Sequence, residues 1–131
     1  MFVALVAFAA SSCATYSQDL ERARVHYQEL EFKKSLAVLR VLGEDLDALS
    51  PAEQAQFAFL RGMTDLRLAD TLPETGAERV AFRACARDWL DKALTFDKAA
   101  GSSLSPEQRA KSRSALAQLI DVEESKGRCL D

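Results

Sequence analysis

The stretch Leu49-Ser50-Pro51-Ala52-Glu53 returns almost unchanged as Leu104-Ser105-Pro106-Glu107-Gln108. In both, a Ser precedes a Pro whose fixed φ suits the first helical position, and a Glu or Gln follows three residues after the Ser. This is a capping box. The Ser oxygen and the Glu or Gln side chain accept backbone N–H groups that a helix start leaves without partners. Working outward from these two starts, apolar residues recur at helical spacing along the whole chain. Residues 17–29 place Leu20, Ala23, Tyr27 and Leu30 on one side, and residues 31–48 do the same with Phe32, Leu36, Leu39, Leu42 and Leu46. Residues 51–70 carry Phe59, Gly62, Leu66 and Ala69, with Phe57 and Leu60 widening the face. A loop at 71–76 interrupts the pattern. Residues 77–99 resume it with Phe82, Ala86, Trp89, Leu90, Ala93 and Phe96, stopping at Gly101. A last segment from Ser105 uses Leu116, Leu119, Ile120 and Val122. Only six Val or Ile follow Cys13, and nothing alternates with period two. The fold class is therefore all-α, an antiparallel helical array whose faces cover one another. A generic bundle of four or five helices, or one long helix over 17–46, would also satisfy the spacing.

The chain has 131 residues, 17 basic and 20 acidic, and a net charge of −3. An acidic balance gives no general attraction to phosphate, so nucleic acid is not an expected partner. A single His excludes the common multi-His metal sites. The charges are unevenly placed: every one lies at or after Asp19, and residues 2–10 are an unbroken apolar run. Nine helical residues rise about 14 Å, half of a bilayer core, which is the length of a signal-peptide apolar region and too short to span.

Ala10-Ser11-Ser12-Cys13 resembles the bacterial lipobox, with Ala10 where that motif usually has a large aliphatic residue. The resemblance implies a signal peptide over 1–12, acylation of Cys13 as the new N-terminus, a polar tether over 13–18, and a helical domain over 19–131. It implies a membrane-anchored lipoprotein facing the periplasm of a bacterial envelope, with the outer membrane as the expected site. Two further cysteines remain. Cys85 shares a helical face with Phe82, Trp89, Leu90 and Ala93 and reads as a small buried hydrophobe. A disulfide with Cys129 is open to it, but two unpaired thiols are the expectation.

The helix pairs resemble tetratricopeptide (TPR) repeats. In the first pair Ala23 fills the small site of helix A, His26-Tyr27 the aromatic site, and Phe32, Ser35 and Leu39 follow in helix B, with Leu30-Glu31 replacing the usual Gly-Asp turn. In the second, Gly62 is the small site, and Ala86, Leu90 and Ala93 follow after an insertion. Ala117 stands as far beyond Ser105 as Gly62 does beyond Ser50, marking the last helix as a half-repeat or cap. The resemblance implies a short right-handed array of about two repeats plus a capping helix.

No phosphate-binding loop, nucleophile elbow or zinc-protease motif occurs, so no catalytic residue, cofactor or metal is expected. His26 is expected to pack or cap, and Asp45/Asp47 and Glu123/Glu124 to be solvated. In TPR-like arrays the inner face comes from the A helices. Here that assigns a partner-binding groove to Arg24, Tyr27, Gln28, Phe59, Met63, Arg67, Lys111 and Gln118, suited to a protein or peptide partner. Arg79, Arg83 and Arg87 form a competing cationic stripe. The expected function is a lipid-anchored adaptor or scaffold in an envelope assembly, and the alternative is an accessory subunit with no groove. If Cys13 carries the anchor, Cys13→Ser moves the protein from the membrane to the soluble periplasmic fraction. Unchanged fractionation on ultracentrifugation excludes the anchor.

Overall fold

The computed structural model describes residues 10–122 and residue 129, with side chains from Thr15 onward. Residues 1–9 of the expected leader, and Glu123 and Glu124, lie outside the described residues. Among the described residues there are five helices: α1 (Ala10–Gln28), α2 (Phe32–Gly43), α3 (Pro51–Asp70), α4 (Ala77–Ala99) and α5 (Pro106–Gln118), with a 3-10 turn at Leu46–Ala48 between α2 and α3. Among the described residues there is no strand. Both capping boxes form. The Ser50 and Ser105 hydroxyls accept from the N–H groups of Glu53 (3.2 Å) and Gln108 (3.0 Å), whose side chains accept in return from Ser50 N (3.1 Å) and Ser105 N (2.9 Å).

Two helices end in the same way. At the close of α4, Ser102 N donates to Asp97 O (2.8 Å) and Gly101 N to Lys98 O (3.3 Å), with Gly101 at φ 73°. At the close of α1, Glu31 N donates to His26 O (2.8 Å) and Leu30 N to Tyr27 O (3.0 Å), with Leu30 at φ 63°. These are paired Schellman ends. Gly takes the left-handed position without cost; a Leu there costs about 1–2 kcal/mol. The turn at Leu30 excludes a single helix over 17–46.

Each helix packs on the next in sequence, and α1 also touches α3. The main core gathers Leu20, Ala23, Leu39, Leu42, Phe57 and Trp89 among others, and a smaller one joins Ala86 and Leu90 of α4 to Ala115 and Leu119. The tightest approach is between α3 and α4. A Cβ on Gly62 would stand 2.6 Å from Leu90 Cγ, 2.8 Å from Cδ2 and 3.0 Å from the Leu90 backbone N. Beside it, buried Ser35 donates to Ala23 O (2.9 Å) and lies 3.4 Å from Thr64 Oγ1, linking α1, α2 and α3 through satisfied polar groups.

α3 also buries an ion pair. Arg61 Nε donates to Asp65 Oδ2 at 3.3 Å, with side chains 5% and 1% exposed, while Asp65 Oδ1 has no partner. Burial pushes the Asp65 carboxyl up to about 6 against the pull of Arg61, and burial also lowers the Arg61 pKa. The Arg61 guanidinium lies 5.5 Å from the Trp89 ring centre and Lys92 4.6 Å, giving the indole two cations.

Several expectations are corrected. Cys85 and Cys129 are joined by a disulfide (Cα–Cα 5.1 Å, separation 44). Cys129 is buried, and Trp89 Nε1 donates to its carbonyl (3.2 Å). Such a loop contributes on the order of 4 kcal/mol by restricting the unfolded chain. Ala117 is exposed, unlike Gly62. Gly62 faces α4, the helix that follows it, whereas α5 buries Ser112 and Ala115 against the helix that precedes it. No sixth helix stands over Ala117 among the described residues. Ile120, expected on the apolar face, is 79% exposed, and Leu119 is buried in its place. α2 stops at Gly43, where a weak helix former meets Glu44 and Asp45. Residues 14–18 lie within α1, which leaves their expected role as a tether open.

Gly62→Ala tests the α3–α4 contact. In an exposed helix this change stabilises by up to about 1 kcal/mol, but overpacking here should cost about 1–3 kcal/mol and lower the melting temperature. Asp65 makes a separate prediction. Between pH about 4 and 6 the folded chain holds a proton that the unfolded chain has released. The stability from this group therefore falls as pH rises through that window, by roughly 1.4 kcal/mol for each pH unit separating the two pKa values. Chemical denaturation across this range should show the fall in wild type and its absence in Asp65→Asn.

Candidate functional site

The odd-numbered helices α1, α3 and α5 share a face, and a cleft of about 380 Å³ lies along it. From α1 come Arg24, Tyr27 and Gln28, one turn of helix; α3 adds Gln56, Phe59 and Leu60; the start of α5 adds Ser105, Glu107, Gln108 and Lys111. A second hollow of about 240 Å³ continues it towards Ser17 and Glu53, sharing Arg24 and Gln56 with the first. Five of the eight residues assigned to the groove from sequence therefore meet in one place: Arg24, Tyr27, Gln28, Phe59 and Lys111. The other three do not line it. Met63, one turn beyond Phe59, packs into the smaller core. Arg67 is exposed and donates to the Tyr27 hydroxyl, which raises the Arg67 pKa. Gln118 lies near the far end of α5, exposed, with its carbonyl accepting from Arg83 (3.3 Å).

The width of the cleft is set by an amide pair that sequence reasoning missed. Gln56 Nε2 donates to Gln108 Oε1 (3.0 Å) and Gln108 Nε2 to Gln56 Oε1 (2.9 Å), bridging α3 and α5. Gln108 Oε1 also serves the capping box, so one side chain starts α5 and spaces it from α3. Helical spacing held the signal: Gln56 stands three residues before Phe59, and Gln108 three before Lys111, on the same faces. At the other end Ser17 Oγ donates to Glu53 Oε2 (2.8 Å), tying α1 to α3. Burial pushes the Glu53 pKa up, but the hydrogen bonds from Ser50 and Ser17 outweigh it, and the net shift is down.

The two cations of the cleft carry only local partners. Arg24 pairs with Glu21 and Lys111 with Glu107 (3.1 Å), the latter with side chains 57% and 78% exposed. Exposed pairs of this kind are worth about 0–1 kcal/mol and exchange readily for another carboxylate. The floor between them is aromatic: Phe59 packs on the main core, and Tyr27 meets Phe32 edge-on at 5.4 Å.

The competing stripe has structural work. Arg79 donates to the carbonyls of Ala69 (3.3 Å) and Leu72 (3.1 Å) at the end of α3. Arg83 and Arg87 donate to those of Gln118 and Val122 at the end of α5. Arg79 and Arg83 thus cap helix C-termini, where cations are favoured, and Arg87 holds the turn that follows α5. His26 Nδ1 lies 3.2 Å from Glu31 Oε1, across the α1–α2 turn. Lys34 (2.6 Å), and after it His26, hold the Glu31 carboxyl at about 2. His26, Glu29 and Glu31 offer ligand atoms within 4.8 Å of one another, but Lys34 already occupies Glu31. No helix among the described residues is long and apolar enough to cross a membrane. Compared with protein-family models, with curated proteins and with solved structures, the chain matches none.

Proposed function

We propose that the chain is a lipid-anchored, TPR-like adaptor that holds a partner polypeptide on the shared face of α1, α3 and α5. The observation that carries this reading is the cleft itself. Three helices present one continuous hollow with an aromatic floor, amide walls and two cations whose carboxylate partners are exposed. Concave sites with an apolar floor and a few converging polar groups are the usual places for ligands. In the TPR-like arrangement α1/α2 and α3/α4 are the two repeats and α5 the cap. Its outer residues, among them Ala110, Arg113, Ser114 and Ala117, are small or polar, as a terminal helix facing solvent requires. Residence in the bacterial envelope, at a membrane and facing the periplasm, is supported by the uncharged leader ending in Cys13. The disulfide agrees with it, since such bonds persist in oxidising compartments.

The second reading, an accessory subunit, draws on exposed apolar side chains that do not line the cleft: Val41, Val80 and Ile120 are 58–79% exposed. Capture from detergent-solubilised membranes separates the two. Arg24→Ala with Lys111→Ala should leave the melt within about 0.5 kcal/mol of wild type. Truncating one side of a desolvated Arg–carboxylate pair in the groove costs about 2 kcal/mol, so capture of the partner should weaken at least tenfold. Arg113→Ala, on the outer face of α5, should capture as wild type does. Undiminished capture by the double variant, together with its abolition in Val80→Asp or Ile120→Asp, replaces the adaptor by the accessory subunit.

A further inference from the structure

A second cleft lies at the other end of the first helix pair, where the α1–α2 turn meets the close of α3. Its volume is about 590 Å³, and its apolar lining is Leu30, Phe32, Leu68 and Leu72. Leu30 is the residue held at φ 63° and is 72% exposed. The equivalent position at the end of α4 is Gly101, so the fold tolerates Gly in this turn geometry; the small Ser102 after it is also at positive φ (71°), and among the described residues Leu30 is the one large side chain held there. The strain places an aliphatic side chain at the mouth of an apolar cleft, the sort of retained outlier that points to a role.

The cationic side of the same cleft comes from the start of α2. Lys33 and Lys34 line it. Lys34 is spent on Glu31, while Lys33 is exposed and has no carboxylate partner among the described residues. No side chain caps the N-terminus of α2, so its first backbone N–H groups add to the positive potential there. Glu31 also lines the cleft, its carboxylate taken up by Lys34 and His26. The carbonyls that close α3 are satisfied, by Thr71 Oγ1 on Leu68 O (2.7 Å) and by Arg79 on Ala69 O and Leu72 O. The cleft thus offers an apolar pocket and a free cation side by side.

We infer that this cleft docks a partner polypeptide through a segment in which an aliphatic or aromatic side chain stands next to a carboxylate. The apolar side chain packs between Leu30, Leu68 and Leu72, and the carboxylate meets Lys33. The site is separate from the groove of α1, α3 and α5, and each can fail alone.

The probe is a random heptapeptide phage library panned on the full chain, followed by fluorescence anisotropy with the enriched peptide. Selection should enrich Leu, Ile or Phe adjacent to Asp or Glu. Lys33→Glu should weaken the peptide at least tenfold, as should replacing its acidic residue by the amide. Leu30→Gly removes the side chain and the strain together, so it should weaken binding at least fivefold while the melting temperature holds or rises. That pairing separates docking from folding. Arg24→Ala with Lys111→Ala should bind the peptide as wild type does. No enrichment, or peptides whose binding is indifferent to Leu30 and Lys33, overturns the proposal. Weakening only on Arg24→Ala with Lys111→Ala assigns the peptide to the other groove and overturns it as well. Displacement of the peptide by a long-chain fatty acid that binds tighter than it would assign the cleft to an amphiphile instead.

Discussion

Gly62 has no side chain, and Leu90 fills the space where one would stand. That exchange lets the backbones of α3 and α4 approach until Leu90 N lies within reach of a Cβ, and the rest of the packing is arranged around it. Phe57 and Trp89 meet edge-on at 5.4 Å across the same pair of helices. Leu90 then joins Ala86, Ala115 and Leu119, which seats α5 on the other side of α4. On the near side, Ser35 and Thr64 bring α2 onto α3. The position of α5 relative to α3, and so the width of the cleft between them, follows from both helices resting on α4 and from the Gln56–Gln108 pair that spans the gap.

What the sequence made legible is local in origin. The capping boxes at Ser50 and Ser105, the stop at Gly101 and the apolar faces of α3 and α4 are written in neighbouring residues, and they placed helix starts and ends closely. Five residues of the cleft were legible for the same reason, because A-helix faces repeat at fixed spacing. The misreadings came where a residue's role depends on which element lies beside it. Ala117 matches Gly62 in spacing, but among the described residues no helix follows α5 to cover it. Arg79, Arg83 and Arg87 read as a competing cationic stripe until the ends of α3 and α5 are laid across them. Pairing of Cys85 with Cys129 needed a fold that brings two distant positions within 5.1 Å.

Tyr27 and Phe32 connect the two clefts. Tyr27 lines the hollow between α1, α3 and α5, Phe32 lines the one beside Leu30, and the rings touch each other across the turn. The wall between the clefts is therefore an aromatic pair, fixed on one side by Arg67 at the Tyr27 hydroxyl. A partner long enough to follow α1 past its C-terminus meets both surfaces in order, cationic and amide-rich first, then apolar beside Lys33.

The disulfide has a mechanical consequence. It closes a covalent ring that runs along α4 from Cys85, through the turn at Gly101, and along the whole of α5 to Cys129. Tension applied to the chain beyond Cys129 passes across the sulfur bridge into the middle of α4 and never travels along α5. The last helix, held to its neighbour by a small apolar patch, carries no load. It cannot be peeled from its end, and a single cut in the backbone of the ring leaves both pieces attached.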